Sequence, residues 1–311
     1  MQQTEQNKLE QIIHLSQTKS FVMPSFDFMT SANINHFWIP EKATPWFYLP
    51  SYAKTNPDVK KRLNQLHAMG VNEIFSLFEE EVIFKILKNL RTKNKRLTNL
   101  QQQAIDFFCS EELKHSEMFH LLNLAVAPEY YKNERFYLIK NRTRMSQILI
   151  RWMTEFPNIF LIWVWMGIFF EERTLMYAKE YIQDKSTSLS PVFKEIHRLH
   201  LIEETRHVQM DEIFVDLFYR NAHPLLKKIS AMTFKKMIHD FSNPKRLTRS
   251  VAEVLKREMT DTETEKQMNQ LLSELPTLHQ NVDFQRQMFG DQAAPRTRAL
   301  ILQFPELAGI L

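Results

Sequence analysis

The chain has 311 residues, 44% of them hydrophobic, but 4 Gly where average usage would give roughly 22; this disfavours Rossmann turns, P-loops, hairpins and propellers, which all need Gly at special backbone angles. A net charge of +4, from 40 Lys and Arg against 36 Asp and Glu, is too slight an excess to imply a nucleic-acid or membrane partner. The single Cys109 can form neither an internal disulfide nor a cysteine-based metal site, which fits a reducing, cytoplasmic compartment.

The first 25 residues hold no apolar core of signal-peptide length, so export is not expected. Residues 1–56 read as a wrapping segment, with a short helix near Glu5–Gln17 and then Pro24, Pro40, Pro45 and Pro50 among aromatic residues. From about Val59 the periodicity is helical, predicting helices over 57–68, 71–92, 97–124, 143–154, 158–184, 189–220, 223–240, 246–257, 262–275 and 280–290. Breaks are expected at Arg91–Arg96, Pro128, Pro157, Asp184–Ser190, Pro224 and Asn243–Pro244. The most apolar run, Ile159–Phe170, has twelve residues, short of the ~20 a membrane span needs, and reads as a buried central helix. The expectation is one all-α domain over 1–311, with a four-helix core over 70–220 and additional helices over 221–311.

One chemical pattern occurs twice. SEELKHSEMF carries Glu112-x-x-His115, and HLIEETRHVQMDE carries Glu204-x-x-His207. Residues three apart share a helical face, so each pair can bind one metal. Ile105, Phe108, Glu112, His115, Phe119 and Leu122 are spaced by threes and fours, as are Ile196, His200, Glu204, His207, Asp211 and Phe214. The ionisable groups therefore sit in the stripes that should face the core, where charge is costly unless paired or metal-bound. A di-metal bundle needs one more Glu from each of two other helices. LFEEEVIF and FFEERTLM supply the candidates Glu79, Glu80, Glu81, Glu171 and Glu172. The apolar faces favour Glu79 and Glu171; spacing alone also permits Glu80 and Glu172, because each choice precedes Glu112 and Glu204 by the same interval.

This arrangement resembles the ferritin-like di-iron carboxylate proteins, which implies a ferritin-like four-helix bundle and two irons, with manganese possible. His200, one turn before Glu204, extends the run to His200-x-x-x-Glu204-x-x-His207. That run resembles the aromatic amine N-oxygenases typified by p-aminobenzoate N-oxygenase. The resemblance implies a non-haem di-iron monooxygenase that uses O2 to oxidise an aryl amine towards a hydroxylamine or nitro product. Its metal ligands would be Glu79, Glu112, His115, Glu171, His200, Glu204 and His207, with electrons from a reductase or ferredoxin. The added imidazole would steer the centre towards nitrogen and away from C–H bonds. Asp211 is a candidate to accept a hydrogen bond from a ligand histidine. His120 and His197 read as packing or surface residues, Arg206 as a solvated charge, and Phe108, Phe160, Trp163 and Val164 as core. The competing functions are a di-iron C–H hydroxylase, desaturase or fatty-acid oxidase, and a metal-storage protein. Helices beyond 223 could cap the bundle or form a homodimer.

Overall fold

The computed structural model describes residues 2–24, 35–185, 189–241 and 244–310. Part of the expected wrapping segment (25–34) and parts of the expected breaks (186–188 and Asn243) lie outside the described residues. The chain is all-α; among the described residues the one β-type pairing is an isolated bridge from Phe37 to Leu189.

Helix α1 (Gln2–Thr18) buries Leu9, Ile12 and Ile13. After 3-10 turns at Glu41–Ala43, Pro45–Tyr48 and Tyr52–Lys54 comes α2 (Pro57–Ser76). Its start is written in sequence: Asn56 accepts a hydrogen bond from the Asp58 N–H, and Pro57 occupies the first turn. No break follows at 69–70. Instead α2 runs through a π-helical stretch, Leu77–Ile83, into α3 (Phe84–Lys93). Gly70 lies inside this continuous helix, and its missing Cβ makes room for Leu247; a Cβ there would lie 2.3 Å from the leucine Cδ1.

A capping box formed by Thr98 and Gln101 opens α4 (Asn99–Val126). A single turn, α5 (Pro128–Tyr131), and α6 (Arg144–Glu155) lead to α7 (Ile162–Gln183) and α8 (Pro191–Phe214), the latter extended by a π-helical turn over Val215–Tyr219. The continuous α2–α3 run, α4, α7 and α8 form the four-helix bundle, with α7 and α8 the most extensively packed pair and α1 laid against α4 and α8. The central apolar run starts α7 and is buried from Leu161 to Phe169 apart from half-buried Met166. No helix among the described residues is long and apolar enough to cross a membrane.

The remaining α-helices are α9 (Pro224–Phe241), α10 (Lys245–Glu258), α11 (Thr262–Glu274), α12 (Val282–Phe289) and α13 (Pro295–Ile301). Two apolar clusters flank the bundle centre. One joins α1, α3, α4, α7, α8 and α9; the other joins the aromatic turns Trp38–Tyr52 to α2, α10 and α11.

Candidate metal centre

Between the two clusters, four helices turn carboxylates and imidazoles inward. Glu79 comes from the π-helical stretch, Glu112 and His115 from α4, Glu171 from α7, and His200, Glu204 and His207 from α8. All seven are buried. The doubled Glu pairs separate cleanly. Glu80 meets Arg135 at 2.7 Å and Ser116, and Glu81 pairs with Lys85. Glu172 is buried, but it accepts hydrogen bonds from the N–H groups of Arg296 and Thr297 and from the Thr297 hydroxyl, capping α13.

Glu204 Oε1 lies at the middle, 2.7 Å from His200 Nε2, 3.2 Å from His115 Nδ1 and 3.4 Å from His207 Nδ1. Glu79 Oε1 is 3.3 Å from His200 Nε2, while Glu112 Oε1 and Glu171 Oε2 stand 2.8 and 3.7 Å from His207 Nδ1. Two overlapping groups of donor atoms result: Glu79, His115, His200 and Glu204, and Glu112, His115, Glu204 and His207. The π-helical turn matters here, because such turns re-aim side chains and concentrate at functional sites.

The donors fit metal ions better than they fit one another. One oxygen of Glu79, both oxygens of Glu112 and of Glu204, Nδ1 of His115 and His207, and Nε2 of His200 are buried without a hydrogen-bond partner. Within each group the donor atoms all lie within 4.8 Å of one another. Buried, unpaired polar atoms of this kind are costly unless a cation lies between them. Four carboxylates match the charge of two divalent ions, and oxygen donors mixed with imidazole suit iron or manganese.

The metal-free electrostatics show the same strain. Burial pushes the Glu79 carboxyl up to about 7 and holds Glu171 well above the usual carboxylate range. Burial also presses on His200, but the Glu204 carboxylate outweighs it and lifts the imidazole to about 10.

Two carboxylates that sequence reasoning passed over complete the site. Nε2 of His115 meets Glu203 Oε2 at 2.8 Å, and Nε2 of His207 meets Glu111 Oε2 at 2.9 Å. A carboxylate accepts, so the proton belongs on Nε2 and the Nδ1 lone pair is left for a metal. The braces cross: α8 holds the histidine of α4, and α4 holds that of α8. The signal was the repeated Glu-Glu-x-x-His of EELKH and EETRH. Arg206, read from sequence as a solvated charge, is instead buried and donates to Glu111 at 2.7 Å. Lys114, Ser20 and the Phe21 N–H all donate to Glu203 Oε1. Asp211 is buried, but the histidine contacts belong to Glu111 and Glu203 instead; its Oδ2 has no partner, and its Oδ1 packs where a Cβ on Gly167 would lie 3.0 Å away. Aromatic rings seal the imidazoles: Phe108 stacks on His207 at 4.0 Å, Phe21 on His115 at 5.9 Å, and Phe119 meets His200 edge-on at 4.9 Å.

Beside the centre lies a pocket of about 550 Å³. Its wall nearest the histidines is formed by Phe75, whose ring lies 6.1 Å from that of His200, and by Phe170, which precedes Glu171 and packs on Phe78 at 4.7 Å. None of Phe108, Phe160, Trp163 and Val164 lines it.

A bundle that buries four carboxylates and three imidazoles on its axis defines a ferritin-like di-iron carboxylate protein. Within that class, the chain belongs to the family of P-aminobenzoate N-oxygenase AurF, whose family model matches residues 2–271. It is thus a non-haem di-iron oxygenase that uses O2 in aryl amine N-oxygenation. Among curated proteins no relative matches.

Proposed function

We propose that Glu79, Glu112, His115, Glu171, His200, Glu204 and His207 hold the two irons and that the amine substrate reaches them through the adjacent pocket. The observation that carries this reading is the set of buried, partnerless donor atoms on Glu79, Glu112, His115, His200, Glu204 and His207, converging from three elements of the bundle. Glu204, close to all three imidazoles and common to both donor groups, would contribute to holding the metals. When bound, the irons supply the electrons and coordination that let O2 oxidise nitrogen. The chain's own residues do the rest. Glu111 and Glu203 fix the faces that His207 and His115 present. Phe21, Phe108 and Phe119 keep water from the imidazoles. Phe75 and Phe170 offer an apolar seat for an aromatic ring. A reductase or ferredoxin returns electrons between turnovers. The protein works in the cytoplasm, and the exposed stripe Leu225, Ile229 and Met232 on α9 is the surface on which a homodimer would form.

The test is to load the protein anaerobically with ferrous iron, add a 4-substituted aniline, and admit isotopically labelled O2. A hydroxylamine or nitro product carrying label on nitrogen is expected. A product labelled on carbon would return the centre to the C–H oxidase reading.

A further inference from the structure

The pocket follows one face of α2. His67, Val71, Ile74 and Phe75 all line it, and steps of three and four along a helix keep to one side. Phe75 stands one turn before Glu79, with its ring beside His200. His67 lies eight residues nearer the N-terminus, about 12 Å away along the axis at a rise near 1.5 Å per residue. The pocket therefore has one end walled off from His200 by the Phe75 ring, with none of the seven donor residues in its lining, and a far end. Its volume of about 550 Å³ belongs to the range that encloses ligands of several rings, well beyond a single substituted benzene.

The lining is mainly aromatic and aliphatic. Arg173 also lines it, but its guanidinium already donates to the Gln287 carbonyl at 2.8 Å and to the Tyr177 hydroxyl at 2.9 Å. Asp240 and Arg246 are exposed at the rim, beside half-buried Lys245. His67 differs from all of these. It is 6% exposed, its Nδ1 has no hydrogen-bond partner, and burial holds its imidazole down at about 4. It is neutral near pH 7, and a neutral imidazole offers one donor and one acceptor. A buried polar side chain without a partner costs free energy unless a ligand satisfies it.

We propose that the occupant of this pocket is an elongated arylamine, with its amino-bearing ring at the Phe75–Phe170 end and an uncharged carbonyl group at the far end, hydrogen-bonded to His67. The orientation rests on the N-oxygenation reading; the length and the polarity rest on the pocket. An aminobenzoate spans only part of the distance, and Arg173, the buried cation in the lining, already has its guanidinium engaged by Gln287 and Tyr177.

The experiment uses the iron-loaded protein kept anaerobic, with binding measured by calorimetry. The probes are 4-aminobenzoate, 4-aminobiphenyl, 4'-aminobiphenyl-4-carboxamide and 4'-aminobiphenyl-4-carboxylate. The carboxamide should bind at least tenfold more tightly than 4-aminobenzoate and more tightly than the biphenyl carboxylate. His67→Leu should weaken the carboxamide about tenfold, the worth of one buried hydrogen bond, and leave 4-aminobiphenyl unchanged. His67→Gln, which keeps a donor, should retain much of the affinity. Equal or tighter binding of 4-aminobenzoate, preference for the biphenyl carboxylate, or an equal loss for 4-aminobiphenyl in His67→Leu would overturn the inference. Admitting O2 to the same samples separates the two claims. Tight, His67-dependent binding of the carboxamide without a nitrogen-oxidised product leaves the pocket assignment standing and removes the N-oxygenation reading.

Discussion

Glu111 and Glu203 show how much of a metal site is built one bond away from it. Each grips the outer nitrogen of a histidine on the opposite helix, and Arg206 ties one of them down. Removing such a partner typically lowers metal affinity by about 10- to 100-fold. Glu203→Leu should therefore weaken iron binding by that order in an anaerobic titration while the far-UV circular dichroism stays helical; unchanged affinity would detach the brace from the site. His200→Ala should keep the crossed braces and cut the yield of nitrogen-oxidised product at least tenfold, measured by mass spectrometry at equal iron content. Glu112, His115, Glu204 and His207 were legible in the sequence because three-residue spacing puts a charge and an imidazole on one apolar stripe. Glu79 and Glu171 could be preferred on the same ground, and Glu80 and Glu172 do point elsewhere, to Arg135 and to the start of α13. The braces were not legible, because their partners lie 96 and 88 residues away, and no local pattern distinguishes a buried Arg206 from an exposed one.

Buried carboxylates also tie the helices and their connections together. Glu73, on α2, accepts the N–H groups of Tyr137, Leu138 and Ile139, each at 2.9 Å, and the Tyr131 hydroxyl at 2.6 Å. This pins the connection between α5 and α6 across the bundle. Glu73→Ala would leave three backbone donors without an acceptor, at a cost of about 3 kcal/mol or more, read as a lower midpoint in urea unfolding. A second clamp joins α2 to α10: Arg62 grips both oxygens of Glu258, at 2.6 and 2.7 Å, and Tyr130 donates to the same group. Burial alone would raise the Glu258 carboxyl, but Arg62 and Tyr130 outweigh it and hold it below its ordinary value. The clamp's stabilisation is thus complete above the unfolded glutamate value of ~4.3 and is lost as pH falls through the lower folded value. The stability gap between the protein and Glu258→Gln should narrow on going from pH 7 to pH 3; a constant gap would mean the ionised carboxylate is not what matters. The long helices were legible from periodicity, which did not single out the caps at Asn56 and Thr98. The π-helical turn under Glu79 was not legible, because no local pattern marks it, nor was the continuity of the helix across 69–70.

At the scale of the whole molecule, two apolar clusters enclose a polar centre in which buried carboxylates crowd one another. The metal-free fold therefore carries a strain that ions relieve, and binding to the folded state alone stabilises it by about 4 kcal/mol at a thousandfold excess over Kd. Chelating the metal should lower the thermal midpoint by several degrees, and ferrous iron should restore it under argon. The all-α class was legible because helical spacing dominates from Val59 onward and glycine is scarce; the pocket was not, because its wall is assembled from α2, α7, α10 and α12, elements distant in sequence. On the proposed assignment, seven side chains from four helical elements hold a pair of irons. The most direct test is to count iron in anaerobically loaded protein by elemental analysis and to record its Mössbauer spectrum after one exposure to O2. Two irons per chain, magnetically coupled in the oxidised form, are expected. One iron per chain, or two uncoupled irons, would contradict it.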